Sequence, residues 1–244
     1  MTEKKSRRAL VTGGSGEIGA AICRRLARDG HHVYVHAHSR ADSAEVLAAE
    51  IIAGGGSAEA VIFDITNTEA TANAIETVLA AGPIQILVNN AGILDDAPFA
   101  GMSAHQWHSV IDVSVNGFFN VTRPLILPMI RTRWGRIVNT SSISALLGNK
   151  GQVNYAASKG ALNAATKALA LEVATRGITV NAVAPGIIAT AMSEKTFDPE
   201  AIERLVPMKR AGVPDEVAGL VAYLVSEEAG YVTSQVIAIS GGMA

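Results

Sequence analysis

Residues 9 to 30 read ALVTGGSGEIGAAICRRLARDG, and the fold is decided there. ALVT forms a short apolar strand, Gly13-Gly14-Ser15-Gly16-Glu17-Ile18-Gly19 a glycine-rich loop, and AAICRRLARDG a helix. A strand, a glycine loop and a helix start in that order gather backbone N–H groups and the positive end of a helix dipole at one point, which suits a diphosphate. Gly14, Gly16 and Gly19 spell GxGxxG, and the strand on one side and the helix on the other give the motif its meaning. The unit points to an α/β chain that binds a nucleotide.

Outward from this unit, the second strand HHVYVHA runs into His38-Ser39-Arg40. An acid at such a strand end holds the ribose 2′-hydroxyl of NAD, whereas an arginine accommodates a 2′-phosphate. No Asp or Glu lies between Gly30 and Ala41, so Ser39 and Arg40 favour NADP(H). His31, His32, His36 and His38 are not read as a metal site. Alternation along a strand turns His31 away from the other three, and no Cys or early acid completes a ligand set.

A helix from about Ser43 to Ala53 leads to a third strand, AEAVIFDIT, and the buried strand IQILVNNAG follows a further helix. A long helical region from about Ala104 to Arg133 comes next, and a last strand, SQVIAISGGMA, closes the sheet. No linker, repeat or low-complexity segment interrupts residues 1–244, which read as one domain.

Composition narrows the class. The chain has 244 residues, 49% hydrophobic and 17% charged, which is enough to bury a full core. A net charge of -2 gives no reason to expect nucleic acid or an anionic membrane as partner. The single cysteine, Cys23, falls in the first helix and reads as a small buried residue. With no apolar leader and no apolar run of about 18 residues, a cytoplasmic location is expected.

The chemistry is carried by SISALLGNKGQVNYAASK, residues 142 to 159. Tyr155 and Lys159 are four apart in an Ala-rich helical run, so phenol and ammonium share one helix face. A nearby ammonium favours phenolate and draws the tyrosine toward the working range of a general acid. Ser142, at the end of the strand IVNT, offers a hydroxyl to the same carbonyl oxygen.

With the glycine loop, the NNAG tetrapeptide at 89–92 and the turn Pro185-Gly186, the chain resembles the short-chain dehydrogenase/reductases over essentially its full length. That resemblance implies a Rossmann-type, doubly wound, mostly parallel seven-stranded sheet with helices on both faces. It implies catalysis by Asn116, Ser142, Tyr155 and Lys159. The Asn fixes a helix kink and holds a water that relays protons to the Lys. Asn120 competes with Asn116 for that role, and Ser141 and Ser144 stand near Ser142, which the thirteen-residue spacing to Tyr155 favours.

It further implies cofactor contacts from Gly13, Ser15, Gly16, Glu17, Ile18 and Gly19, from Ser39 and Arg40, and from Asp64 and Ile65 at the adenine. Asp64 also reads as a cap for the helix opening near Asn67. Asn90, Ala91 and Gly92 pass the adenosine ribose, Tyr155 and Lys159 lie near the nicotinamide, and Pro185, Gly186, Ile188 and Thr190 border its carboxamide and the phosphates. Glu17 departs from the family pattern, which has glycine there; the expectation is that its carboxylate turns outward. A substrate lid is expected at about 188–210.

Within the family the sequence is most similar to the 3-oxoacyl-(acyl-carrier-protein) reductases, through RGITVNAVAPG, GNKGQVNYAASKG and the ending SGGM. The resemblance implies an acyl carrier protein as partner, docked by Arg133 and Arg176 beside the active-site mouth, and a homotetramer. Either arginine also reads as a solvated helix-end cation. Two alternatives remain open: a reductase of a free ketone, alcohol or sugar, and a nucleotide-binding regulator without catalysis.

Overall fold

A computed structural model of the chain describes residues 6–194 and 198–244. The first half alternates β1 (Arg8–Val11), α1 (Glu17–Arg28), β2 (His32–Ala37), α2 (Ala41–Ala53), β3 (Ser57–Ile62), α3 (Thr68–Ala80) and β4 (Ile86–Asn89). There follow α4 (Ala104–Ile111), α5 (Gly117–Thr132), β5 (Gly135–Thr140), α6 (Ser144–Leu147), α7 (Val153–Val173) and β6 (Ile178–Pro185). The chain ends with α8 (Ala191–Glu194), α9 (Pro199–Leu205), α10 (Pro214–Val225) and β7 (Val236–Ile239).

The seven strands form one parallel sheet in the order β3-β2-β1-β4-β5-β6-β7. The winding reverses between β1 and β4, and ligands of such sheets sit in the crevice beyond the strand ends at that reversal. Strand alternation divides the core. Ala9, Val11, Ile86 and Val88 face α1, α2 and α10, while Leu10, Leu87 and Ile137 face α3, α5 and α7. Cys23 is fully buried in the first of these layers, and burial holds its thiol protonated, well above the usual thiol range.

Two elements differ from the sequence expectation. The third strand stops at Ile62, so Asp64 stands in the loop beyond it. The helical region from Ala104 is not continuous: Asp112–Asn116 forms a π turn between α4 and α5. A π turn bonds each N–H five residues back instead of four.

Buried amides lock the central strands to the helices behind them. Asn89 on β4 donates to Asn139 on β5 at 2.9 Å and to Thr122 on α5 at 3.0 Å, and Asn139 donates to Thr166 on α7 at 2.8 Å. The arrangement fixes where β4 and β5 end, and therefore where the catalytic loops begin. Asn139→Ala is expected to destabilise the protein by about 2 kcal/mol, because two buried partners lose their bonds. Urea denaturation monitored by circular dichroism measures that loss, and an unchanged midpoint would contradict the locking role.

Candidate active site

The sheet's C-terminal edge opens into a cleft of about 800 Å³ between the glycine loop, the ends of β2, β4 and β5, and α7. Its walls include Gly13, Ser15 to Gly19, Ser39, Arg40, Asp64, Ile65, Asn90 to Gly92, Tyr155, Lys159 and Thr190. The structure thus gathers most of the sequence-derived positions into one space. Pro185, Gly186 and Ile188 stand outside that wall. Gly186 packs against Ser240, and the Ile188 side chain is buried in the core.

The glycine loop is built for close approach. Gly13 adopts φ +61°, and a Cβ on Gly19 would overlap the Gly13 carbonyl oxygen. Gly16 is the N-cap of α1, and no side chain caps that helix end. The N-terminal N–H groups of α1 therefore face the cleft as a helix start suited to a phosphate. Asn90 donates to the carbonyls of Thr12 and Gly13, and Thr12 accepts from the N–H groups of Asn90 and Ala91, which joins the loop to the end of β4. These features fit a dinucleotide diphosphate.

Glu17 reaches away from this helix start. Its carboxylate accepts the N–H of Ala191, at 3.0 and 3.2 Å, where α8 begins. The glycine loop is thereby tied to the segment expected as a substrate lid. In that segment α9 is capped by Asp198, while Lys195, Thr196 and Phe197 lie outside the described residues.

Lys159 is 2% exposed. It donates to the Thr140 carbonyl at 2.8 Å, and no carboxylate pairs with it among the described residues. Burial lowers its ammonium from 10.5 to about 8. Gly92 makes the space for it: a Cβ there would stand 3.1 Å from Nζ.

Tyr155 does not behave as the sequence suggested. Its phenol is raised above 10, by desolvation first and by the Asp96 charge as well, against a lowering hydrogen bond to Ser142. Lys159 Nζ lies 5.6 Å from the centre of the Tyr155 ring. The phenol consequently stays protonated in the neutral range, which is the form that protonates a carbonyl.

The competing serines separate by their partners. Ser141 donates to the backbone of Lys159, Ser144 donates to Gln152, and Ser142 is the one hydrogen-bonded to Tyr155. Asn116 closes the π turn, where a helix kink was expected; its side chain is exposed, with its amide donated to Asp112 at 2.7 Å. Asn120 binds the Ile65 carbonyl instead. The buried polar side chain of the turn is Ser114, 3% exposed, whose hydroxyl finds no partner among the described residues.

In the loop beyond β3, Asp64 is engaged by the hydroxyl and N–H of Thr66 and lies 3.5 Å from His38; the helix cap falls to Asn67. The site also contains groups that the sequence did not reveal. Gln152 joins Asp96 to Ser144, and Asn154, fully buried, donates to the carbonyls of Asp95 and Gln106. Together they close the loop after β4 against α7. Their only sequence signal was position, near NNAG and Tyr155.

Arg133 and Arg176 are brought to one place, with Arg133 donating to the Thr175 carbonyl at 3.2 Å. Both arginines precede their strands, β5 and β6, whereas Ser142 follows β5, so within one chain they stand a strand length from the mouth.

A Tyr–Ser–Lys site beside a dinucleotide cleft on a doubly wound sheet defines a nicotinamide-dependent oxidoreductase. Residues 7–201 match the family model described as short chain dehydrogenase, and the chain belongs to that family. Among curated relatives, a 3-oxoacyl-(acyl-carrier-protein) reductase FabG of Aggregatibacter actinomycetemcomitans is 43% identical over 96% of this chain and 98% of its own. An acetoacetyl-CoA reductase of Acinetobacter sp. (strain RA3849) is 42% identical over 100% and 99%. Nodulation protein G of Rhizobium sp. (strain N33) is 45% identical over the same shares.

The buried ammonium gives a test with a sign. Unfolded Lys159 keeps its proton to about 10.5, while the folded group releases it above about 8, so wild-type stability climbs with pH across that window. Lys159→Met should be more stable than wild type by about 3 kcal/mol at pH 7, a gap that closes by pH 10.5. Chemical denaturation at both pH values measures it; a variant less stable at pH 7 would contradict the burial cost.

Proposed function

We propose that the protein reduces the ketone of a 3-oxoacyl thioester to the 3-hydroxyacyl thioester, using NADPH, in fatty acid or related polyketide-like synthesis. The observation that carries this reading is the grouping beyond β5: Ser142 beside the Tyr155 phenol, with Lys159 buried behind them. Tyr155 donates its proton to the ketone oxygen, and the Ser142 hydroxyl donates a hydrogen bond to the same atom. Lys159 holds the nicotinamide ribose and places a positive charge behind the phenol. The bound dihydronicotinamide supplies the hydride.

Ser114 adds a buried, unpartnered hydroxyl to the π turn that Asn116 closes, a seat for an internal water in the proton path expected there. NADP(H) is favoured because β2 is followed by His38, Ser39 and Arg40, with no acid before Ala41. The expected lid hangs from the Glu17–Ala191 bond.

The carrier is an acyl carrier protein. Since Arg133 and Arg176 stand far from their own chain's mouth, a carrier docked on them serves a second copy of the chain, which fits a homotetramer in the cytoplasm. Apolar side chains left exposed on α5 and α7, Leu127 at 62% and Leu171 at 77%, favour such self-association. The same distance also favours a second reading, a coenzyme A thioester that needs no docked carrier, and the acetoacetyl-CoA reductases among the relatives add to it.

Two measurements test these proposals. Tyr155→Phe should lose about 100-fold or more in kcat for NADPH-dependent ketone reduction. Retention of most of the turnover would overturn the assignment. Exchanging Arg133 and Arg176 together for Glu should raise KM for a carrier-bound 3-oxoacyl group on the order of tenfold and leave acetoacetyl-CoA unaffected. Equal effects on both would remove the docking role.

A further inference from the structure

His36 is a buried titratable group in the cleft wall that the reaction does not use. It sits near the end of β2, 1% exposed, and each ring nitrogen has a partner of opposite kind. Nδ1 accepts the Gly13 N–H at 3.0 Å, and Nε2 donates to the Phe63 carbonyl at 2.9 Å. The two partners fix one tautomer, since the nitrogen facing an N–H must be bare and the nitrogen facing a carbonyl must carry the proton. The ring also packs on Phe63, with centroids 4.3 Å apart. Burial holds it neutral, at about 4, so the acceptor survives across the working range.

Gly13 opens the glycine loop with φ +61°, a backbone state outside the usual regions. Its carbonyl is bound by Gly16 and Asn90, and its N–H is bound by His36. The loop is therefore clamped from the β4 side by Asn90 and from the β2 side by His36. Without an acceptor for the Gly13 N–H, the loop gains freedom to turn that group to water. Nucleotide binding would then have to restore the cradle at the expense of affinity.

We infer that His36 is a positioning residue that pre-sets the glycine loop for the cofactor diphosphate and joins it to the adenine-side loop at Phe63. The inference rests on the reading of the cleft as a nicotinamide dinucleotide site.

Two isosteric variants separate the contacts. The Asn amide oxygen falls where Nδ1 is, so His36→Asn keeps the Gly13 bond and loses Phe63. The Gln amide reaches the position of Nε2, so His36→Gln keeps Phe63 and loses Gly13. NADPH titration followed by fluorescence should place His36→Asn within about threefold of wild type and His36→Gln on the order of tenfold weaker, although each loses one bond and both melt lower. Equal affinities for the two variants would overturn the inference and leave His36 a purely structural residue. A wild type that binds neither NADPH nor NADH would instead overturn the reading of the cleft.

Should either variant fail to fold, amide exchange at Gly13 in the wild type decides the matter. A pre-set loop protects that amide without nucleotide, whereas fast exchange slowed only by NADPH contradicts the role.

Discussion

The site depends on burying one cation. Lys159 is among the largest fully buried side chains and is held by a backbone carbonyl, with no countercharge among the described residues. Such a group costs folding energy that a Met or Leu would not. Its neighbours are arranged around that cost. Gly92 gives the ammonium room, Thr140 ends β5 with a carbonyl pointed at it, and the Thr140 hydroxyl donates onward to Asn90, which grips the glycine loop. The nucleotide cradle and the catalytic helix are thus connected through two residues. A protein shaped only for stability would have filled this place with an apolar side chain, so the buried ammonium marks the centre of function.

Around that centre, burial and charge act on the proton donor. Desolvation and Asp96 raise the Tyr155 phenol, and Ser142 stands against it as a hydrogen-bond partner. The Glu17 carboxylate is spent on the backbone N–H of Ala191, which ties the glycine loop to the start of α8.

The fold was legible because its signals are local. Apolar strands alternate with amphipathic helices, and ALVTGG with its following helix already fixes the first unit. The Tyr155–Lys159 pair was equally readable, since two residues one helical turn apart share a face whatever surrounds them. What the sequence left open lies beyond local patterns. The π turn at 112–116 carried no sequence signal of its own; Ser114 is buried in it and Asn116 is exposed. Burial of the phenol likewise reversed the direction expected from the lysine charge. The arginines were placed by similarity of sequence, which does not say at which end of a strand they stand. His36 went unrecognised because its meaning lies in two backbone partners, 23 and 27 residues away in the sequence.

The most direct test of the buried ammonium is an NMR titration of protein labelled at the lysine ε carbons. One lysine signal should titrate near 8 and be missing from Lys159→Met. If every lysine titrates in the ordinary range, Lys159 is solvated, and neither its burial cost nor its place at the centre of the site survives.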